Sequence, residues 1–89
     1  MKSKVTREFR KCLRTLPHDA RRQAFGAYRL FKRNPFHPSL QFKAVSRTPL
    51  IYSVRIGLHY RALGNREADD LIVWFWIGSH ADYDDLIGR

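Results

Sequence analysis

The sequence predicts an α+β domain in two layers, with two N-terminal helices packed on one face of an antiparallel sheet of about four strands and a short C-terminal segment. Three observations lead there. Apolar residues recur at helical spacing as far as Arg33, and they recur at every second position from Leu40 onward. The longest apolar run, LIVWFWI from Leu71, has the length of a strand and is apolar on both faces, as a covered central strand should be. Eighty-nine residues make one small domain spanning 1–89, without internal repeat, linker or low-complexity segment. Hydrophobic residues at 44% and charged residues at 28% exclude a disordered chain.

Taken in order, Val5, Phe9, Cys12, Leu13 and Leu16 share one sector of a helical wheel, with Lys4, Arg7, Lys11 and Arg14 opposite. Thr6 suits the N-cap, which frees residues 1–5 to form a short edge strand. Pro17 ends that helix and starts a second, which carries Asp19 in its first turn and runs to about Arg33. Its apolar face is Ala20, Ala24, Ala27, Tyr28 and Phe31. Its basic face is Arg21, Arg22, Arg29, Lys32 and Arg33, and Phe25 falls among these arginines. Asn34-Pro35 closes the helix.

Strands are then expected at Leu40–Val45, Ile51–Ile56, Tyr60–Leu63 and Leu71–Ile77, with turns or loops at Ser46–Pro49 and Gly64–Asp69. A two-residue turn at Gly57 would put Arg61 on the side of Val54. A three-residue turn, Gly57–His59, sets Ile56 opposite Tyr60 and Arg55 opposite Arg61, and it alone sorts Tyr52, Val54, Ile56, Tyr60 and Ala62 onto one face. The helices then cover that face and leave the arginine face open. HADYDDLI after Gly78 fits either a short helix or an extension of the strand.

Seventeen Lys and Arg against eight Asp and Glu give a net charge of +9. Residues 1–47 hold 13 basic side chains against Glu8 and Asp19, while residues 48–89 hold 4 against 6. Such a field suits a polyanion: nucleic acid first, an acidic protein second. A membrane partner fits poorly, because the basic helices lack a Trp-rich face and no apolar run approaches the roughly 20 residues that span a bilayer. One cysteine and no apolar leader point to a reducing cytoplasm.

Arg55 and Arg61 side by side repel each other, and folding does not need them there. A phosphate would relieve the repulsion, since two guanidinium forks can bracket the charge that develops in phosphoryl transfer. Carboxylates such as Asp82 or Asp84 would serve equally well, so both readings stay open. His80 suits proton transfer near neutral pH and also suits an ordinary loop position. Tyr83 can stack on a base or seal the sheet edge. His18, His37, His59 and His80 have no metal-ligand spacing, and there is no phosphate-cradling glycine loop, so any chemistry is expected to need no cofactor and no metal.

NPFHPSL after the second helix, YSVRIGLHYRAL across the hairpin and VWFWIGSHADYDDL at the end together resemble the RelE/ParE superfamily of toxins from bacterial type II toxin–antitoxin systems. The resemblance covers nearly the whole chain. It implies one of two activities: ribosome-dependent mRNA cleavage, as in RelE-like members, or inhibition of DNA gyrase without cleavage, as in ParE-like members. A degenerate member retained only to bind antitoxin is a third option. Arg61 in HYRAL matches the family's active-site arginine, and Arg55 in SVRI matches a basic residue on the preceding strand. His80 stands where RelE-type toxins carry an arginine or histidine, and Tyr83 stands near the terminal tyrosine at a shorter spacing. Ser53 occupies the place of a lysine in cleaving members, and no glutamate lies between Leu40 and Gly64 to act as the YoeB-type base. Lys43 is the basic residue placed to compensate. By the same resemblance, Lys4, Arg7, Lys11, Arg14 and Lys43 would grip RNA of the message and ribosome. Phe25, ringed by Arg21, Arg22, Arg29 and Lys32, would anchor an acidic antitoxin.

Overall fold

In the computed structural model, which describes residues 1–88, the chain runs β1 (Lys2–Val5), α1 (Arg7–Thr15), α2 (His18–Arg33), β2 (Lys43–Arg47), β3 (Leu50–Ile56), β4 (Tyr60–Ala68), β5 (Leu71–Ser79) and α3 (His80–Ile87). Thr6 caps α1, its Oγ1 accepting the Phe9 N–H at 3.1 Å. The predicted apolar stripe of α1 packs on the core. From α2 the core receives Ala20, Ala24 and Phe31. Tyr28, expected in that set, is partly exposed, and its hydroxyl accepts from Ser3 Oγ.

The sheet has five strands in the order β1-β5-β4-β3-β2, and it is mixed: β1 pairs parallel with β5, and every other pairing is antiparallel. The expected edge strand at residues 1–5 therefore exists, but in parallel orientation. β2 begins at Lys43 instead of Leu40. Pro38–Leu40 forms a 3₁₀ turn held by His37 Nδ1, which accepts the Ser39 N–H; Leu40 is buried, and Gln41 reverses the chain in the left-handed region. The three-residue turn is present, with Ile56 opposite Tyr60 and Arg55 opposite Arg61.

β5 departs from simple alternation. Leu63 lies opposite Trp76 while Gly64 lies opposite Trp74, so the strand bulges at Phe75. The bulge lets Ile72, Trp74 and Ile77 all face the helices although the last two are three residues apart; the run is therefore not covered equally on both faces. Gly64–Asp69, expected as a loop, is instead mostly strand, since β4 continues to Ala68 and turns only at Asp69-Asp70. The glycine that suggested a loop is there for close approach: a Cβ at Gly64 would lie 2.7 Å from Trp74 Cε3 and 2.8 Å from Ile72 Cγ1. Gly64→Ala is accordingly expected to overpack the core by about 1–3 kcal/mol. Thermal unfolding should register this as a fall in Tm of at least about 4 °C, and an unchanged Tm would mean that Trp74 has room to move.

The core closes on edge-to-face aromatic contacts, Phe31 with Trp74 at 5.4 Å and Phe31 with Phe42 at 5.1 Å. The C-terminal segment is a helix. Ser79 Oγ caps it by accepting the Asp82 N–H, and α3 folds over the sheet face opposite α1 and α2. That face is thus not wholly open, because Tyr83 is buried there above Ser53.

Candidate active site

Arg55 and Arg61 are directly paired across β3 and β4, with side chains on the face away from α1 and α2. Like charges in this arrangement repel. Among the described residues neither arginine lies within ion-pair distance of a carboxylate. Each is tied instead to a backbone oxygen: Arg55 Nε donates to Gly57 O at 2.9 Å and Arg61 Nη1 to Tyr60 O at 3.0 Å. Among the described residues the remaining donors of both forks make no side-chain hydrogen bond or ion pair. Burial, and after it the Arg55 charge, lowers the pKa of Arg61 from its ordinary value, while Tyr83 and Asp84 act in the opposite sense. The pair is a cationic site short of negative charge.

α3 brings the rest of the cluster. The His80 N–H donates to His59 O at 2.7 Å, which pins the first turn of the helix to the β3–β4 turn. His80 Nδ1 lies 3.2 Å from Asp84 Oδ2, one helical turn on. Asp84 attracts Arg61, so histidine, aspartate and arginines form one electrostatic group. The sequence alone offers Asp84 as a neutralising partner for the arginines. Its pairing with His80 follows from i,i+4 spacing, which is visible only once residues 80–87 are known to be helical.

Tyr83 requires a correction. It is only 6% exposed, with its ring 5.9 Å from Arg61 Cζ and its hydroxyl 3.5 Å from Ser53 Oγ, so it presents no face for a base to stack on. It supports Arg61 from below. The same burial explains the small residue at position 53: Ser53 is 2% exposed beneath the tyrosine, where a lysine would have no route to solvent. Lys43 lies opposite Ser53 in β2, on the same face and exposed, one strand further out. Gly78, opposite Arg61 in β5, is covered by Trp76; a Cβ there would lie 2.5 Å from the indole Cζ2.

The remaining basic residues divide between two surfaces. Arg7, Lys11 and Arg14 are exposed on α1. Lys4 is not part of that helical face. It belongs to β1 opposite Val73, while its neighbour Val5 turns to the core, so Lys4 lies on the arginine face of the sheet. On α2, Arg22, Arg29 and Lys32 are exposed, and Arg21 is not free: its Nη1 donates to Leu16 O at 2.6 Å and secures the α1–α2 connection. Phe25 is 54% exposed and rims an apolar groove of about 270 Å³ between α1 and α2, with Val5, Phe9, Leu13 and Tyr28. It is an edge of that groove, and on its other side it stands with Arg22 and Arg29, as its place among the arginines of α2 predicts.

The α+β fold is that of a RelE/ParE superfamily toxin. A sequence model of the ParE-like toxin domain matches residues 18–85, and the chain belongs to that family. Among solved structures it is similar to a chain of the archaeal RelE-RelB complex from Pyrococcus horikoshii OT3, with a TM-score of 0.67 at 19% identity over 88% of this chain and 92% of that one. No curated protein matches it in sequence. Among the described residues no helix is long and apolar enough to cross a membrane, and no group of His, Cys, Asp and Glu is arranged to hold a metal ion.

Proposed function

We propose that this toxin is a ribosome-dependent mRNA endoribonuclease. The observation that carries the reading is the facing pair Arg55 and Arg61, with no carboxylate within ion-pair distance among the described residues, beside a histidine anchored at the mouth of the same face. RNA supplies its own nucleophile. As the 2′-oxygen attacks phosphorus, His80 Nε2 takes the hydroxyl proton, the P–O5′ bond breaks and the 5′-oxygen takes a proton from solvent, leaving a 2′,3′-cyclic phosphate and a 5′-hydroxyl. Arg55 and Arg61 hold the phosphoryl oxygens and stabilise the charge that grows on them. Lys43 and Lys4, on the same face, extend the track for message backbone, while Arg7, Lys11 and Arg14 on α1 contact ribosomal RNA. The protein acts in the cytoplasm, where ribosomes are.

A second reading, inhibition of DNA gyrase without cleavage, is favoured by the ParE-like character of the family model. Cell-free translation and gyrase supercoiling, run in parallel with purified protein, separate the two. The endonuclease reading expects translation to stop while supercoiling continues, and the reverse would overturn it.

The partner of the similar archaeal chain, RelB, supports an antitoxin for this protein as well. An acidic segment, disordered when free, suits the α1–α2 groove, with Phe25 as its apolar anchor and Arg22, Arg29 and Lys32 steering its approach. Arg21 contributes by holding the groove's end. Phe25→Ala is expected to speed antitoxin dissociation, by about 30-fold if Phe25 is worth ~2 kcal/mol, and to leave the Tm of the free protein nearly unchanged. Surface plasmon resonance tests this directly; an unaltered off-rate would remove Phe25 from the interface.

A further inference from the structure

Within the endonuclease reading, on which this inference rests, we propose that Asp84 is a positioning residue that fixes the tautomer and orientation of His80. A carboxylate can only accept hydrogen bonds, so the 3.2 Å contact between Asp84 Oδ2 and His80 Nδ1 places the proton of the neutral imidazole on Nδ1. The lone pair then lies on Nε2. That is the atom needed to take a proton from a 2′-hydroxyl, and after protonation the same contact to Asp84 persists while Nε2 becomes a donor.

Packing alone does not set the ring. The His80 side chain is 47% exposed, and its nearest aromatic neighbour, Tyr83, is 6.1 Å away between ring centres. Its backbone is fixed by His59 O and by the cap at Ser79, so the Asp84 contact removes the remaining freedom, rotation of the imidazole. The groups facing this histidine are Asp84 and Tyr83 from α3 and, through Asp84, Arg61 from β4. The same carboxylate acts electrostatically on Arg61, so one side chain relates the proton acceptor to the phosphate site.

The test combines long-range ¹⁵N–¹H NMR of the imidazoles, at a pH where His80 is neutral, with cleavage kinetics of Asp84→Ala and Asp84→Glu. Wild-type His80 is expected as the Nδ1–H tautomer, and Asp84→Ala should lose it. In kinetics, kcat should fall roughly 10- to 100-fold, as when a partner that orients a functional histidine is removed. KM should be unchanged or lower, because a negative charge near the arginines is gone, and Asp84→Glu should recover part of kcat. A merely structural role would raise KM and lower Tm without changing the tautomer. A cleaving wild type with the Nε2–H tautomer would overturn the positioning role alone. A wild type that cuts no ribosome-bound RNA would overturn the endonuclease reading and with it any catalytic use of this contact, whatever the tautomer.

Discussion

Arg61→Ala is expected to slow mRNA cleavage by about 10²–10³, or ~2.7–4 kcal/mol of transition-state stabilisation, the loss typical when one preorganised donor to a developing oxyanion is deleted. Arg61 is the better placed of the two arginines for this role. It is half-buried on the inner strand β4, braced by Tyr83 and Tyr60 O, so its fork is held before substrate arrives. Folding should not suffer, because the substitution removes a like-charge contact with Arg55 and leaves the backbone register intact. The decisive measurement is single-turnover cleavage on ribosomes together with thermal unfolding. A slow variant with wild-type Tm supports the assignment, whereas unchanged cleavage would show that Arg61 does not meet the phosphate.

His80→Gln should reduce the cleavage rate by about 10²–10⁴, the range for loss of a positioned proton-transfer group. Glutamine keeps similar bulk and can still hydrogen-bond Asp84, so α3 should remain in place while Nε2 is lost as a base. In the proposed reading ribosome affinity comes from the basic surfaces of α1 and the sheet, so it should stay near wild type. Pelleting with ribosomes measures binding while primer extension measures cutting. Equal losses in both would make His80 a binding residue.

The sequence and the fold agree most closely where one face of an element is buried. The α1 stripe and the β3–β4 register were legible because a two-residue turn would have carried Arg61 to the side of Val54 and taken Tyr60 and Ala62 off that apolar face. The facing arginines, the centre of the site, follow from that register alone. Glycine misled at position 64, where it accommodates the Trp74 ring inside a strand instead of marking a loop. The parallel pairing of β1 was not readable, since four residues carry no signal of strand direction. Tyr83 stayed open between stacking on a base and sealing the sheet edge because nothing in HADYDDLI says whether α3 covers the sheet, and that covering depends on tertiary packing over Ser53. The same ambiguity hid Asp84, which stands beside His80 only in helical geometry.

If this face cuts RNA by 2′-hydroxyl attack, the ends it leaves are diagnostic. Ribosome-bound message incubated with purified protein should yield fragments with 5′-hydroxyl and 2′,3′-cyclic phosphate ends, found in quantity with the wild type and nearly absent with Arg61→Ala and His80→Gln. Intact message alongside inhibited gyrase supercoiling, or fragments with 5′-phosphate ends, would contradict it.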